Sequence, residues 1–288
     1  MNTVVSYAGN YPPFEMGTTA GRRRAGSESA PATLWRVLPE WEVAQAAPTN
    51  WCQTRATIAK IARAEERTWT QLNGSKFLES DPRRLPDLTR YWSEVPGFGS
   101  PAVAGAAARR SARDEKDWPW SAAFICFVMK KAGVKKSDGF KFAGKHMTYI
   151  VDALRNRERS DRARPFWLVD ALELQLEAVP QVGDLLCFNR CLKQISKTCV
   201  QWTPHSVASL RRQFCTGGNQ NLTPFGKAHC SFVVGFRTEP DGSRFVETIG
   251  GNEKNSVLLQ HAIPIDQAGG IPNPQAHHIF GMIKLIGC

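Results

Sequence analysis

The chain has 288 residues, 42% of them hydrophobic, with nine tryptophans and a formal net charge of +11. That length and apolar content suit one large or two small folded domains and exclude a disordered or fibrous chain. The positive charge implies an anionic partner, a class that includes nucleic acid, anionic lipid and cell-wall polymer. It is scattered in short groups (Arg22 to Arg24, Arg109-Arg110, Lys135-Lys136, Arg211-Arg212), without finger spacing or an RNA-binding signature, which argues against nucleic acid.

Residues 1–48 are rich in Gly, Ala, Pro, Ser and Thr and read as a flexible N-terminal arm, with residues 49–288 as the folded domain. The first residues lack the basic head and apolar core of a secretory signal, and no stretch reaches the roughly 18 to 20 apolar residues of a membrane span. The expectation is synthesis in the bacterial cytoplasm, no membrane span, and export only by a route that needs no cleaved signal. Thr54 to Leu72 carries apolar residues at helical spacing and is the first predicted helix. Residues 73–116 read mostly as loop, with a short helical segment around Leu88 to Val95 and an Ala-rich piece before Asp117.

A Pro-containing turn, Asp117-Trp118-Pro119-Trp120, then opens an apolar helix that starts at Ser121 and ends at Gly133. Met147 to Arg155 reads as another helix, with His146 and Tyr149 one turn apart, and Asp161 to Pro165 breaks the pattern. From residue 180 the period changes. Val182 to Phe188 is a turn and a short strand, and a polar insertion covers about 190–227. His229 to Arg237 alternates as a strand, Pro240 to Ser243 is a hairpin turn, and Arg244 to Ile249 is the partner strand. Ser256 to Gln260 and His278 to Ile286 supply two more strands. Helices first and an antiparallel meander afterwards make the class α+β.

Three pieces converge on one chemistry. Ser121 opens a buried helix, where unpaired backbone N–H groups and the helix dipole favour an anionic nucleophile or oxyanion. Read alone, the same serine is a helix cap. His229 begins one strand and Asn252 follows the end of the next, which puts both at the same end of an antiparallel pair. A nucleophilic hydrolase needs an imidazole to take the nucleophile's proton and a third polar group to fix its tautomer.

The segments PWSAAFICFVMKKAG (119–133), KHMTYI (145–150), VGDLLCF (182–188), AHCSFVVGF (228–236) and ETIGGN (247–252) together resemble the DUF2272 family. That family is similar to the NlpC/P60- and CHAP-like, papain-type cell-wall hydrolases, whose nucleophile helix opens Trp-Cys-Ala-Ala-Phe-Val. The resemblance implies a papain-like core over about residues 50–288 and cleavage of amide bonds in peptidoglycan peptides. It assigns Ser121 as nucleophile, His229 as base and Asn252 as orienting residue, with no metal or other cofactor. Trp120, His146, Tyr149 and Arg190 are candidates to line the substrate groove, Arg190 also being readable as a solvated surface residue.

The departure lies at the nucleophile, where this chain has serine in place of cysteine. Cys126 is no substitute: five residues on, it lies about 140° around the helix and about 7.5 Å along it. Cys230 alternates to the opposite strand face from His229. Cys187, Cys191, Cys199, Cys215 and Cys230 form a cluster that leaves free thiols, disulfides and zinc all open, although the spacings fit no zinc module. The expected function is a peptidoglycan amidase or peptidase, acting as an antibacterial toxin delivered by a secretion-system component and restrained by a cognate immunity protein. A wall-binding module without catalysis, an acyl or peptidyl transferase, and a glycan-cleaving enzyme are the alternatives.

Overall fold

A computed structural model describes residues 50–114, 118–172, 178–189, 206–215 and 228–287. The expected arm at 1–48 and most of the polar insertion lie outside these residues. Six α-helices are described: α1 (Trp51–Thr68), α2 (Leu85–Ser93), α3 (Pro101–Ala112), α4 (Ser121–Lys131), α5 (His146–Glu158) and α6 (Val207–Phe214). The strands are β1 (Phe166–Asp170), β2 (Leu185–Asn189), β3 (Ala228–Thr238), β4 (Arg244–Glu253), β5 (Ser256–Ile265) and β6 (Ile279–Leu285). They form one six-stranded sheet in the order β1-β6-β2-β3-β4-β5, with every neighbouring pair antiparallel. The class is α+β.

Local chemistry explains the helix ends. Asn50 caps α1 by accepting the Gln53 N–H at 3.1 Å, and Ile58, Ala59, Ala62 and Glu65 form its buried stripe. Ser100 caps α3 in the same way through the Val103 N–H at 3.3 Å, with Pro101 at its first helical position. Sequence reading left most of residues 73–116 as loop, yet α3 is a regular helix there. Its buried face is Ala104, Ala107, Ala108 and Ser111, too weakly apolar to contrast with the outer face. Strand β1 was also missed. It is a five-residue strand at the sheet edge, held by pairing with distant β6. Helix α6 falls inside the segment read as polar insertion, capped by reciprocal bonds between Ser206 and Ser209.

Both sheet faces are packed. The helices bury one face, where Phe124, Phe127, Ile150, Phe166, Cys230 and Phe232 join one core. Leu186, Val233, Val246, Ile263 and Met282 form a second core. Phe232 and Val233 thus serve different cores, as the two-residue period of a strand requires. Lys254 and Asn255 both have positive φ and make the two-residue turn joining β4 to β5, the backbone form that suits a twisted hairpin.

A buried ionic cluster ties α1 to the sheet. The Asp184 carboxylate is fully buried and accepts from Arg55 Nη1 at 2.6 Å and the Gln181 N–H at 2.9 Å, with Lys284 Nζ at 3.3 Å. Burial raises the Asp184 carboxyl above its ordinary range, and Lys284 and Arg55 oppose that rise. Arg55 also donates to the Leu285 carbonyl, so one guanidinium joins α1, the entry to β2 and the end of β6. Gly183 makes the approach possible: its φ is +91°, and a Cβ there would lie 2.8 Å from Arg55 Cα. Removing the carboxylate takes a buried counter-charge from both Arg55 and Lys284. Asp184→Ala is therefore expected to lower unfolding free energy by about 3–5 kcal/mol, measured by urea denaturation, and an unchanged midpoint would contradict this role.

Candidate active site

The site is built where the start of α4 meets the far end of β4. Trp120 is the N-cap residue of α4 and makes no side-chain cap bond, so Ser121 occupies the first helical position. The serine hydroxyl is not a cap. Ser121 Oγ lies 2.6 Å from Nε2 of His146, the first residue of α5, and both side chains are buried. The other ring nitrogen, Nδ1, is hydrogen-bonded to the Tyr149 hydroxyl one turn along the same helix. If Nε2 accepts the serine proton, Nδ1–H must donate to Tyr149 Oη. Burial is the largest of the effects that hold the Tyr149 phenol well above its ordinary range, so it stays neutral.

The chain of contacts continues inward. Tyr149 is hydrogen-bonded to Cys230, and the Cys230 and Cys187 sulfurs lie 3.0 Å apart as direct cross-strand partners in β3 and β2. Both are free thiols, and burial drives Cys230 far above the usual thiol range. Cys126, the cysteine of α4, bonds the Ala143 backbone and has no exposed surface. Burial pushes its thiol up to about 12. It is a core residue, as its position on the helix implied.

His229 stands beside this pair, its ring centroid 5.0 Å from that of His146 at an interplanar angle of 60°. Its Nε2 lies 2.5 Å from Glu253 Oε1 and 3.3 Å from Ser231 Oγ, and Ser231 in turn donates to Glu253 at 3.2 Å. His229 Nδ1 is buried and has no hydrogen-bond partner among the described residues. The structure therefore brings together Ser121, His146 and His229, but joins Ser121 to His146 and His229 to Glu253.

The backbone explains why Glu253, and not Asn252, meets the imidazole. Phe232 pairs with Ile249, a register that continued along both strands would set His229 opposite Asn252. The β4–β5 register shifts between Gly250 and Glu253, and Asn252 adopts φ +56°. This bulge re-aims the chain, and the following carboxylate reaches His229 instead. Asn tolerates the left-handed backbone that the kink needs. The Gly-Gly-Asn segment lies at this bulge, and the side chains that meet His229, namely Glu253 and Ser231, are ones the sequence pattern did not single out.

The remaining candidates separate. Trp120 is fully buried, stacked on Trp69 at 5.0 Å and Tyr91 at 5.8 Å, with Nε1 donating to Glu79. It is a core support for the helix start, without exposed surface to line a groove. Tyr149 lies behind His146 at 1% exposure. Arg190 falls outside the described residues, as do Cys191 and Cys199. Among the described residues no group of three or more His, Cys, Asp and Glu is arranged to hold a metal ion. No described helix is long and apolar enough to cross a membrane.

A family model described as an uncharacterized protein conserved in bacteria, DUF2272, matches residues 88–283. The chain belongs to the DUF2272 family. No curated protein and no solved structure matches. The matched span contains every element that supplies the DUF2272 site here, from α4 through α5 to β3 and β4.

The burial of Cys126 gives a direct check on which atom is reactive. Native protein treated with iodoacetamide at neutral pH is expected to leave Cys126 unmodified on peptide mapping, because its thiolate fraction is negligible. Rapid alkylation of Cys126 in the folded protein would contradict the placement.

Proposed function

We propose that this DUF2272 protein is a peptidoglycan hydrolase, an amidase or peptidase acting on the stem peptides through Ser121. The observation that carries the reading is the 2.6 Å contact between Ser121 Oγ and His146 Nε2 at the first turn of a buried helix. A serine hydroxyl is a poor nucleophile until a base takes its proton, and an imidazole at hydrogen-bond distance meets that need. Tyr149 holds the ring in the accepting tautomer. In this proposal His146 takes the base role that sequence reasoning gave to His229, and Asn252 shapes the bulge that directs Glu253 to the second imidazole.

The start of α4 supports the second requirement of acyl transfer. Its first backbone N–H groups carry the positive end of the helix dipole, which stabilises the oxyanion that forms when Ser121 attacks a carbonyl. The attack gives an acyl-Ser121 ester and releases the amine; water then cleaves the ester. Peptidoglycan as substrate rests on the resemblance of the five segments to papain-type wall hydrolases and on a net charge of +11, which suits an anionic wall. On the same basis we propose a papain-like NlpC/P60-type core and an antibacterial role as a secretion-delivered toxin with an immunity partner.

Incubation with purified sacculi, followed by mass spectrometry of released fragments, tests the reading. The wild type is expected to release stem-peptide fragments, and Ser121→Ala to lower the rate by at least about a thousandfold without loss of thermal stability. Binding to sacculi with no new fragments would replace the hydrolase with a wall-binding module. Glycan fragments carrying intact peptides would replace the bond.

A further inference from the structure

The site contains a second imidazole that the Ser121–His146 pair leaves unused. His229 is nine-tenths buried, its Nε2 faces the Glu253 carboxylate at 2.5 Å, and its Nδ1 has no hydrogen-bond partner among the described residues. A buried ring nitrogen without a partner forgoes a hydrogen bond, a cost that proteins rarely leave standing. Both nitrogens of His146 are occupied, by Ser121 and by Tyr149. The open nitrogen belongs to His229, whose ring is 5.0 Å from that of His146.

We propose that His229 is a second acid–base catalyst of this site, serving the leaving amine and the hydrolytic water while His146 serves only Ser121. The proposal rests on the nucleophile reading above and adds a division of labour to it. The resting site carries one imidazolium, His229, paired with Glu253, and a neutral His146. When Ser121 Oγ bonds to the substrate carbonyl carbon, its proton passes to His146 Nε2. The carbon–nitrogen bond breaks, and the leaving amine takes the proton of His229 Nδ1. His229 is now neutral, with Nε2–H donating to Glu253 and the Nδ1 lone pair bare. Water then adds to the acyl-Ser121 carbonyl and gives its proton to Nδ1. The ester bond breaks, and Ser121 Oγ recovers its proton from His146. The products are a carboxylic acid and an amine, and both rings return to their starting state.

Charge favours this order. Two imidazoliums with centroids 5.0 Å apart would repel in a buried setting. In the scheme the pair holds one positive charge in the resting enzyme, on His229, and one in the acyl-enzyme, on His146. Both rings are charged only while the tetrahedral oxyanion balances them, and the collapse of each tetrahedral species returns the pair to one charge. Glu253 is a positioning residue: by accepting from Nε2 it fixes the neutral His229 tautomer that leaves Nδ1 open.

Two reagents whose leaving groups need no proton separate the two rings. A fluorophosphonate reports the Ser121–His146 pair alone, and p-nitrophenyl acetate reports acetylation of Ser121 as a burst and deacetylation as the steady rate. Labelled Ser121 is located by peptide mapping, and the acetyl adduct is followed by intact mass. His229→Gln and Glu253→Gln are expected to label within about threefold of wild type, while His146→Gln labels about a hundredfold more slowly. With the ester, His229→Gln and Glu253→Gln are expected to keep a burst of one equivalent and then turn over at least about tenfold more slowly, with the acetyl adduct accumulating.

Loss of labelling in His229→Gln to the level of His146→Gln would overturn the division, since His229 would then be the base for Ser121. Steady turnover at the wild-type rate in both His229→Gln and Glu253→Gln would also overturn it, leaving His229 a structural residue. Should His229→Gln fail to fold, the isosteric Glu253→Gln decides by the same two rates. A wild type that neither labels nor acetylates at Ser121 overturns the nucleophile reading and this proposal with it, whereas the two earlier outcomes leave that reading standing.

Discussion

The closest approach between helix α4 and strand β4 is the constraint on which this site depends. A Cβ built on Gly251 would lie 2.5 Å from Phe124 Cβ and 2.9 Å from Trp120 Cζ3, so only a residue without a side chain allows the helix to seat there. At Gly250 a Cβ would lie 2.5 Å from Ser231 Oγ and 3.0 Å from Glu253 Oε1, so a side chain there would push those two groups aside. The two glycines let helix α4 and the His229–Glu253 pair approach one strand end.

Around that contact the protein spends much of its core on rigidity. Trp120 stacks on both Trp69 and Tyr91, which are themselves hydrogen-bonded, and its indole N–H is held by the buried Glu79. The Glu79 N–H donates to the Asn255 carbonyl in the turn just beyond Glu253. The residue before Ser121 and the turn after Glu253 thus share one buried acid. On the far side the Asp184 cluster fixes α1 to β2 and β6. Such over-determination holds the Ser121 hydroxyl within hydrogen-bond reach of His146.

Serine in place of cysteine changes what the surroundings must supply. A thiolate–imidazolium pair can rest ionised, whereas a serine must lose its proton during attack. His146 Nδ1 is paired with a neutral phenol whose ionisation burial suppresses. The carboxylate of the site sits instead on the neighbouring ring. That separation of the orienting phenol from the charged Glu253 is the feature that most distinguishes this arrangement from a single relay of nucleophile, imidazole and acid.

Much of the fold was legible in the chain. The uniform apolarity of Ser121 to Met129 gave a buried helix, the two-residue alternation of His229 to Arg237 gave a strand, and the order of helices before strands gave the class. Helix α3 and strand β1 were not legible, since a face of alanines gives little contrast and an edge strand of five residues is held by a partner more than a hundred positions away. At the site, the sequence by itself determined which residue types were available: a serine at a helix start, two histidines, and a polar residue after paired glycines. Only the tertiary structure decided their pairing. Ser121 meets His146 because α4 and α5 both pack on the sheet at β3 and bring their first residues together, and Glu253 displaces Asn252 because a bulge and one left-handed residue turn the end of β4. Both outcomes are set by contacts between distant segments and by local twist, which no spacing along the chain records.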